Sequence, residues 1–268
     1  MKKIAFMFVP VIMLLCLMTV VPKILSSGMN TSTVILIAIM ALILMTVFRP
    51  KKAATKTAEA VAEEFLDDYC ANAFADDDAL KAKFYAALDD YGKNMPKAAI
   101  AKLEKLAPLC TGSKEKYAVA IASAKTYFLL EKYKDSLREY NKALVLHPSS
   151  ELSAQIGMAY QRQGNNQKAI EAYEFATELD SRNVDAWSRL AAVHVAEWHW
   201  ETALDYAQEA LELEQTNASA LATSAICYGM LDDALMHNHY TRLAVQNGYS
   251  EDKIKETVKT LKKRSRNQ

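Results

Sequence analysis

Glycine and proline are scarce in this chain, with seven glycines and six prolines among 268 residues. Alanine, the strongest helix former, is abundant instead. A β-rich fold needs many tight turns, and the residues that make such turns are the ones in short supply. The composition therefore predicts an all-α fold.

An excess of charge of either sign is also missing. The chain has 32 lysines and arginines against 32 aspartates and glutamates, so its formal net charge is zero. Nucleic-acid binding normally needs a strongly basic surface to neutralise phosphates. The balance predicts that nucleic acid is not a partner.

Cysteine pairs of the kind that bind zinc or exchange disulfides are absent from the sequence. The four cysteines, Cys16, Cys70, Cys110 and Cys227, lie far apart, and no C-x-x-C motif occurs. Such spacing supports neither a zinc ribbon nor a thioredoxin-type motif. We expect free thiols in a reducing compartment.

Motifs that carry catalysis are missing too. The sequence has no G-x-x-x-x-G-K-[ST] or G-x-G-x-x-G phosphate loop and no G-x-S-x-G nucleophile turn. His194 and His199 are five residues apart, whereas a zinc-binding helix needs a spacing of four. His237 and His239 are two apart and point in different directions on a helix. The sequence predicts no catalytic residue, no metal site, no cofactor and no small-molecule substrate, so the protein is not expected to be an enzyme.

Two long apolar runs stand at the N-terminus, residues 4–21 and 33–48. Together they predict a transmembrane hairpin with spans at about 4–22 and 30–48, so residues 4–48 would contact the lipid bilayer. Basic residues flank the pair at Lys2, Lys3 and residues 49–52, which predicts cytoplasmic N- and C-termini, in a bacterial plasma membrane. The alternative is that the first run is a cleaved signal peptide, which also leaves the chain after residue 52 in the cytoplasm.

A pattern with a period of about 34 residues repeats in the second half of the chain. One aromatic or histidine position recurs at this nearly constant interval, and an alanine follows each occurrence at a fixed distance. Such a period is typical of solenoids built from stacked helix pairs. The first series is Tyr127, Tyr160, His194 and Tyr228, and the second is Ala143, Ala176, Ala210 and Ala244.

The stretch IGMAYQRQGNNQKAIEAYEFATELD, residues 156–180, shows the pattern most clearly, through Gly157, Tyr160, Ala169, Tyr173 and Ala176. It resembles the tetratricopeptide repeat (TPR). The resemblance implies a right-handed superhelical solenoid of helix pairs, with Gly157 and Ala169 at the closest approach of two helices. We therefore interpret the spacing as packing rather than chemistry. Neighbouring units depart from the repeat at three positions. Ala124 replaces the glycine, His194 replaces the tyrosine, and His237 replaces a small residue.

The predicted organisation has four parts. Residues 1–52 form the membrane hairpin, and residues 53–116 form a linker with N-terminal helices. The sequence does not decide whether residues 53–116 contain a further, degenerate repeat. The solenoid covers 117–249, with repeats at about 117–149, 150–183, 184–217 and 218–249. Residues 250–268 form a capping helix, with Ile254, Val258 and Leu261 on one stripe, and a basic tail.

The resemblance implies that a protein or peptide partner binds on the concave face formed by the first helix of each repeat. Chaperone-binding TPR proteins clamp a carboxylate with Lys and Asn, and most of the matching positions here hold other residues. An apolar peptide anchor is expected instead. The predicted groove residues are Ile121, Lys125, Phe128, Ala154, Met158, Gln161, Arg162, Ser188, Ala192, Val195, Ala222 and Ile226.

These observations favour a membrane-anchored scaffold or adaptor whose cytoplasmic TPR groove recruits a protein partner. The alternative is an accessory subunit of a membrane transport or secretion assembly that works mainly through the hairpin. The hairpin contains no charged residue within either apolar run, which weakens a role in conduction.

Overall fold

A computed structural model of the chain describes residues 57–65 and 67–266. The two predicted membrane spans lie outside these residues. Within the described part, no helix is both long enough and apolar enough to cross a membrane.

The described residues form an all-α structure without strands. A short 3-10 helix, Ala107–Leu109, follows the third α-helix. The α-helices are α1 (Ala58–Phe65), α2 (Asp78–Gly92), α3 (Pro96–Leu106), α4 (Ser113–Leu129), α5 (Tyr133–Leu146), α6 (Ser150–Arg162), α7 (Asn166–Leu179), α8 (Val184–Ala196), α9 (Trp200–Leu213), α10 (Ala218–Met230), α11 (Ala234–Gln246) and α12 (Glu251–Ser265).

Consecutive helices pack as pairs that stack into a solenoid. The pairs are α2 with α3, α4 with α5, α6 with α7, α8 with α9, and α10 with α11. The second helix of each pair also contacts the first helix of the next pair, and α6, α8 and α10 contact one another in turn. Each pair therefore buries its apolar faces only against its neighbours, as solenoids do.

The turn inside each pair has one shared backbone geometry. One residue in each turn has a positive φ, and the next residue donates its N–H to a carbonyl five positions earlier. This arrangement satisfies carbonyls that the end of the first helix leaves unpaired. The left-handed residues are Asn94, Glu131, Gly164, Trp198 and Asp232, and the donors that follow them are Met95, Lys132, Asn165, His199 and Asp233.

These turns permit a matched pair of substitutions. Glu131 is exposed with φ 58°, a conformation that disfavours side chains with a Cβ atom, so Glu131→Gly is expected to stabilise the protein by about 0.5–1 kcal/mol. Gly164 occupies the equivalent place with φ 84° and open space around it, so Gly164→Ala is expected to destabilise by about 1 kcal/mol. Urea unfolding of both variants measures the difference. Two shifts of the same sign would contradict the shared geometry.

A fifth helix pair, α2 with α3, precedes the four predicted repeats. Ala87 and Ala99 are fully buried and occupy the places in this pair that Gly157 and Ala169 occupy in theirs. Asp90 takes the position of the repeat's tyrosine, and Lys102 Nζ lies 2.7 Å from its carboxylate. The residues that the sequence left undecided therefore contain an additional pair that lacks the aromatic signature.

The repeat's small residues lie where helices come closest. An added Cβ at Gly157 would lie 2.6 Å from the Tyr173 ring. Tyr173 and Ala169 are themselves fully buried, as are the four alanines of the second repeating series. The packing role that the sequence predicts for Gly157 is what the structure shows.

Two polar residues replace the small residue at the start of a second helix, and both have partners. Ser136 Oγ donates to the Ala124 carbonyl oxygen at 2.9 Å. His237 Nδ1 lies 2.8 Å from the equivalent carbonyl oxygen, that of Ala225. The imidazole fits beside Gly229, which offers no side chain there. At Ser136 and His237 the departure from the repeat pattern is therefore compensated locally.

Helix α12 closes the C-terminal end of the array by packing on α10 and α11. Ile254 is fully buried and Leu261 is nearly so, while Val258 is half-buried. The helix begins at the N-cap Ser250, whose side chain accepts from the Lys253 N–H. Its basic last turn carries Lys262, which lies 2.5 Å from Asp232 in the turn after α10.

Candidate functional site

All twelve predicted groove residues lie on the first helices α4, α6, α8 and α10. Their exposure divides them into three groups. Six are buried, four are half-buried and two are exposed. The buried residues are Ile121, Ala154, Ser188, Val195, Ala222 and Ile226; the half-buried ones are Lys125, Phe128, Met158 and Gln161; and the exposed ones are Arg162 and Ala192.

The buried group fixes the spacing of the first helices. Ser188 shows how: its Oγ donates to Asn217 Oδ1 at 3.0 Å. Asn217 is the N-cap of α10 and also accepts from the Ala220 N–H. These contacts hold α8 against α10, so such side chains form a floor beneath the surface rather than the surface itself.

The accessible part of this face spans α6, α8 and α10. Met158 on α6 and Met230 on α10 are half-buried, and Ala192 and Ala196 on α8 are exposed. We call these four residues the open face. Small residues on the middle helix leave room between two flexible thioethers, which adapt to varied apolar side chains.

Charged residues lie beside the open face. Arg162 is exposed one helical turn after Met158, at the end of α6. Asp185 at the start of α8 holds Arg189 through a 2.6 Å ion pair, and Glu151 is exposed at the start of α6. The face therefore combines an apolar middle with charges of both signs.

The N-terminal end of the first-helix side is covered. Residues 57–65 and 67–76, which we call the N-terminal strap, include α1, and α1 packs on α2 and α4. Ala118 on α4 is completely buried, whereas its repeat equivalents Glu151, Asp185 and Ser219 are exposed. The sequence did not predict that the N-terminal strap covers this end of the first-helix side.

The α8–α9 turn brings together two histidines. His194 Nδ1 lies 3.5 Å from His199 Nδ1, and the His194 ring stacks on Tyr206 with centroids 5.1 Å apart. The buried Nε2 of His194 has no hydrogen-bond partner among the residues that the structure describes. Burial, reinforced by the neighbouring His199, lowers the pKa of His194. Across the described residues, no group of three or more His, Cys, Asp or Glu side chains is placed to hold a metal ion.

This histidine predicts a pH-dependent loss of stability. Because the folded state lowers the pKa of His194, the unfolded chain binds more protons below pH 6.5, and stability falls as pH falls through that range. His194→Tyr removes this contribution and recreates the stacked pair that Tyr228 and Tyr240 form, with centroids 5.4 Å apart.

We expect His194→Tyr to stabilise the protein by about 1 kcal/mol at pH 7.5, since an unpaired buried nitrogen is removed. Its advantage over the unsubstituted chain should grow between pH 6.5 and pH 5, as measured by urea unfolding at each pH. An advantage that shrinks on acidification would contradict the assignment. His199→Ala, at an exposed position, removes only the smaller cause of the lowered pKa of His194, so it should weaken the pH dependence less than His194→Tyr does.

The three cysteines among the described residues are buried thiols. Burial raises the pKa of Cys70 and of Cys227 to about 12, and that of Cys110 to about 11. At neutral pH these side chains are therefore protonated and behave as small apolar groups.

A separate hollow of about 640 Å³ lies between α4, α5 and the end of α3. Helix α3 ends early at Leu106, and Val145 on α5 is 85% exposed. Of the charges at its edge, Arg138 and Lys142 both pair with Glu139. These cations are already engaged within α5.

Comparisons with known proteins agree with this architecture. Residues 157–196 match the family model of the TPR repeat. No curated protein matches the sequence at a significant level.

Solved structures resemble the chain in fold. YrrB, described as a TPR protein with an unusual peptide-binding site, is 16% identical with a TM-score of 0.54, over 78% of this chain and 100% of its own. A tetratricopeptide repeat protein from Parabacteroides merdae is 14% identical with a TM-score of 0.60, over 67% of this chain and 70% of its own. MamA is 18% identical with a TM-score of 0.54, over 60% of this chain and 93% of its own. The described part of the chain is thus an all-α, TPR-like solenoid of helix pairs.

Proposed function

We propose that the protein is an interaction scaffold that binds a peptide or protein segment on the open face of α6, α8 and α10. The observation that carries the proposal is the contrast within one face. Its inner positions are buried and fixed, whereas Met158, Ala192 and Met230 remain accessible above them. A rigid floor beneath adaptable apolar side chains suits an extended or helical peptide with apolar anchors. The peptide-binding site described for YrrB supports the same use of a similar fold.

Membrane anchoring forms the second part of the proposal. The two apolar runs at residues 4–21 and 33–48 and the basic residues that flank them support it. Attachment to a bilayer would confine the scaffold and its partner to a thin layer, which raises their effective concentration without new contacts. Anchoring is tested by separating membranes in alkaline carbonate, where a spanning hairpin stays in the pellet. Recovery of the chain in the supernatant would contradict membrane anchoring. It would not bear on peptide binding at the open face.

Photo-crosslinking in cells tests the open face. A photoreactive residue is placed at Met158 and, separately, at Met230, and control probes are placed at Lys168 and Glu209, which are exposed on the second helices α7 and α9. We expect both first-helix probes to reach the same short segment of one protein, mapped by mass spectrometry. Equal capture by the control probes, or no shared segment, would overturn the proposal.

A further inference from the structure

We infer that the N-terminal strap is an intramolecular ligand of the repeat array, and that the α2–α4 surface beneath it accepts an acidic, aromatic segment of a partner in exchange. The inference deepens the proposed function, on which it rests, by naming the ligand chemistry at this end of the groove. Its basis is how the strap is attached, what it covers and which charges it carries.

Stacked aromatic side chains attach the strap to the array, beside the fully buried Val61 of α1. Phe74 of the strap stacks on Phe84 of α2, with ring centroids 4.7 Å apart. Tyr69 stacks on His147, with centroids 4.0 Å apart, and meets the edge of Tyr117 at 5.1 Å. Two rings inserted between repeat residues are how an amphipathic peptide anchors itself on a protein surface.

The polar attachment is a single charge-assisted hydrogen bond among the described contacts. Tyr117 Oη donates to Asp67 Oδ2 at 2.6 Å. The backbone hydrogen bonds of the described strap residues lie within the strap, for example from the Cys70 N–H to Asp67. Within the described residues, side chains therefore connect the strap to the array, so it can detach without breaking a repeat's own backbone contacts.

The surface under the strap matches the open face in position. Leu88 of α2 and Met158 of α6 occupy equivalent places in their repeats, yet Leu88 is 1% exposed and Met158 is half-buried. Ala118 of α4 is likewise buried where later repeats expose a polar residue. In the folded chain the first-helix side is therefore closed at Leu88 and Ala118 and accessible at Met158.

The charge of the strap defines the partner's chemistry. Residues 57–76 contain six acidic residues and no basic one. On the array, Lys114 Nζ lies 5.7 Å from the centre of the Tyr69 ring, and Tyr117 supplies a hydroxyl donor to a carboxylate. A segment that places a carboxylate and two aromatic rings in the same order satisfies the same contacts.

Thiol labelling of the full chain tests the exchange. Cys70 lies in the strap and Cys227 lies in α10; both are fully buried, and burial raises the pKa of each to about 12. Both thiols are therefore protonated in the folded chain, and the labelling rate of each reports how often its surroundings open. The rates are read separately by peptide mapping. Tyr117→Phe removes the hydrogen bond to Asp67, and we expect it to label Cys70 about tenfold faster with Cys227 unchanged.

A peptide with the sequence of residues 57–76, carrying serine in place of Cys70, is then added in trans. It should trap the vacated surface and accelerate Cys70 labelling, about tenfold at a concentration ten times its dissociation constant for that surface. A control peptide with Tyr69→Ala and Phe74→Ala has the same charge and should have no effect.

Three results would overturn the inference: no acceleration by the peptide, equal acceleration by the control peptide, or Cys70 and Cys227 rates that rise together. None of them bears on crosslinking from Met158, which tests the open face separately. Failure of the exchange and failure of the proposed scaffold function are thus distinguishable.

Discussion

Gly157→Ala is expected to destabilise the protein by about 2–3 kcal/mol, although alanine is the better helix former by about 1 kcal/mol. The added Cβ would lie 2.6, 2.7 and 2.9 Å from three atoms of the Tyr173 ring. That ring is completely buried, so neither it nor the backbone of α6 can yield without disturbing the packing of α7. Urea unfolding measures the loss.

Two companion variants make this prediction specific. Tyr173→Val removes the aromatic ring, and in that background Gly157→Ala should lose most of its effect, because the three ring atoms that the new Cβ would meet are gone. Ala124 is the equivalent residue in α4, and Ala124→Gly should also destabilise, by about 1 kcal/mol through helix propensity. If Gly157→Ala stabilises the protein, helix propensity outweighs the close approach and our account of the pair is wrong.

Gly229→Ala is expected to destabilise by about 2 kcal/mol, and His237→Ala should suppress that loss. A Cβ at Gly229 would lie 2.9 Å from His237 Nδ1 and 3.1 Å from Val258 Cγ2. The imidazole cannot simply move aside, since Nδ1 lies 2.8 Å from the Ala225 carbonyl oxygen. The new methyl group therefore forces the loss of this part-buried hydrogen bond or a shift of α12.

The variant that combines Gly229→Ala with His237→Ala shows whether the two substitutions act on the same contact or independently. His237→Ala alone should destabilise by about 1 kcal/mol through the lost contact. Adding Gly229→Ala to it should change stability little, because the space that the ring vacates receives the methyl group. Simple addition of the two losses would show that His237 and Gly229 do not compensate for one another.

The sequence predicted the repeated part of the fold well, for a local reason. The small and aromatic positions recur at a nearly constant interval because each pair must meet its own partner helix and the next pair at the same places. The spacing alone thus assigns Gly157, Ala169 and Tyr173 to packing. The pair α2–α3 lacks the aromatic member, and Ala87 lies further from Ala124 than the period allows, so periodicity did not reveal this pair.

The candidate site was predictable only as a set of helix positions. Spacing placed Met158, Ala192 and Val195 on first helices, but it did not reveal that Ala192 is exposed and Val195 is 8% exposed. Burial depends on how neighbouring helices and α12 lie against each residue, which no single repeat encodes. The family pattern therefore overestimated the accessible surface.

The sequence by itself thus determined the helical class, the period of the solenoid and the residues at its closest contacts, since these follow from propensity and spacing within one repeat. Only the tertiary structure decided which part of the first-helix face is open. The cover at its N-terminal end rests on contacts such as Tyr117 with Asp67, 50 residues apart in sequence. Such pairs follow no period, because they form where two distant segments happen to be complementary once the chain has folded.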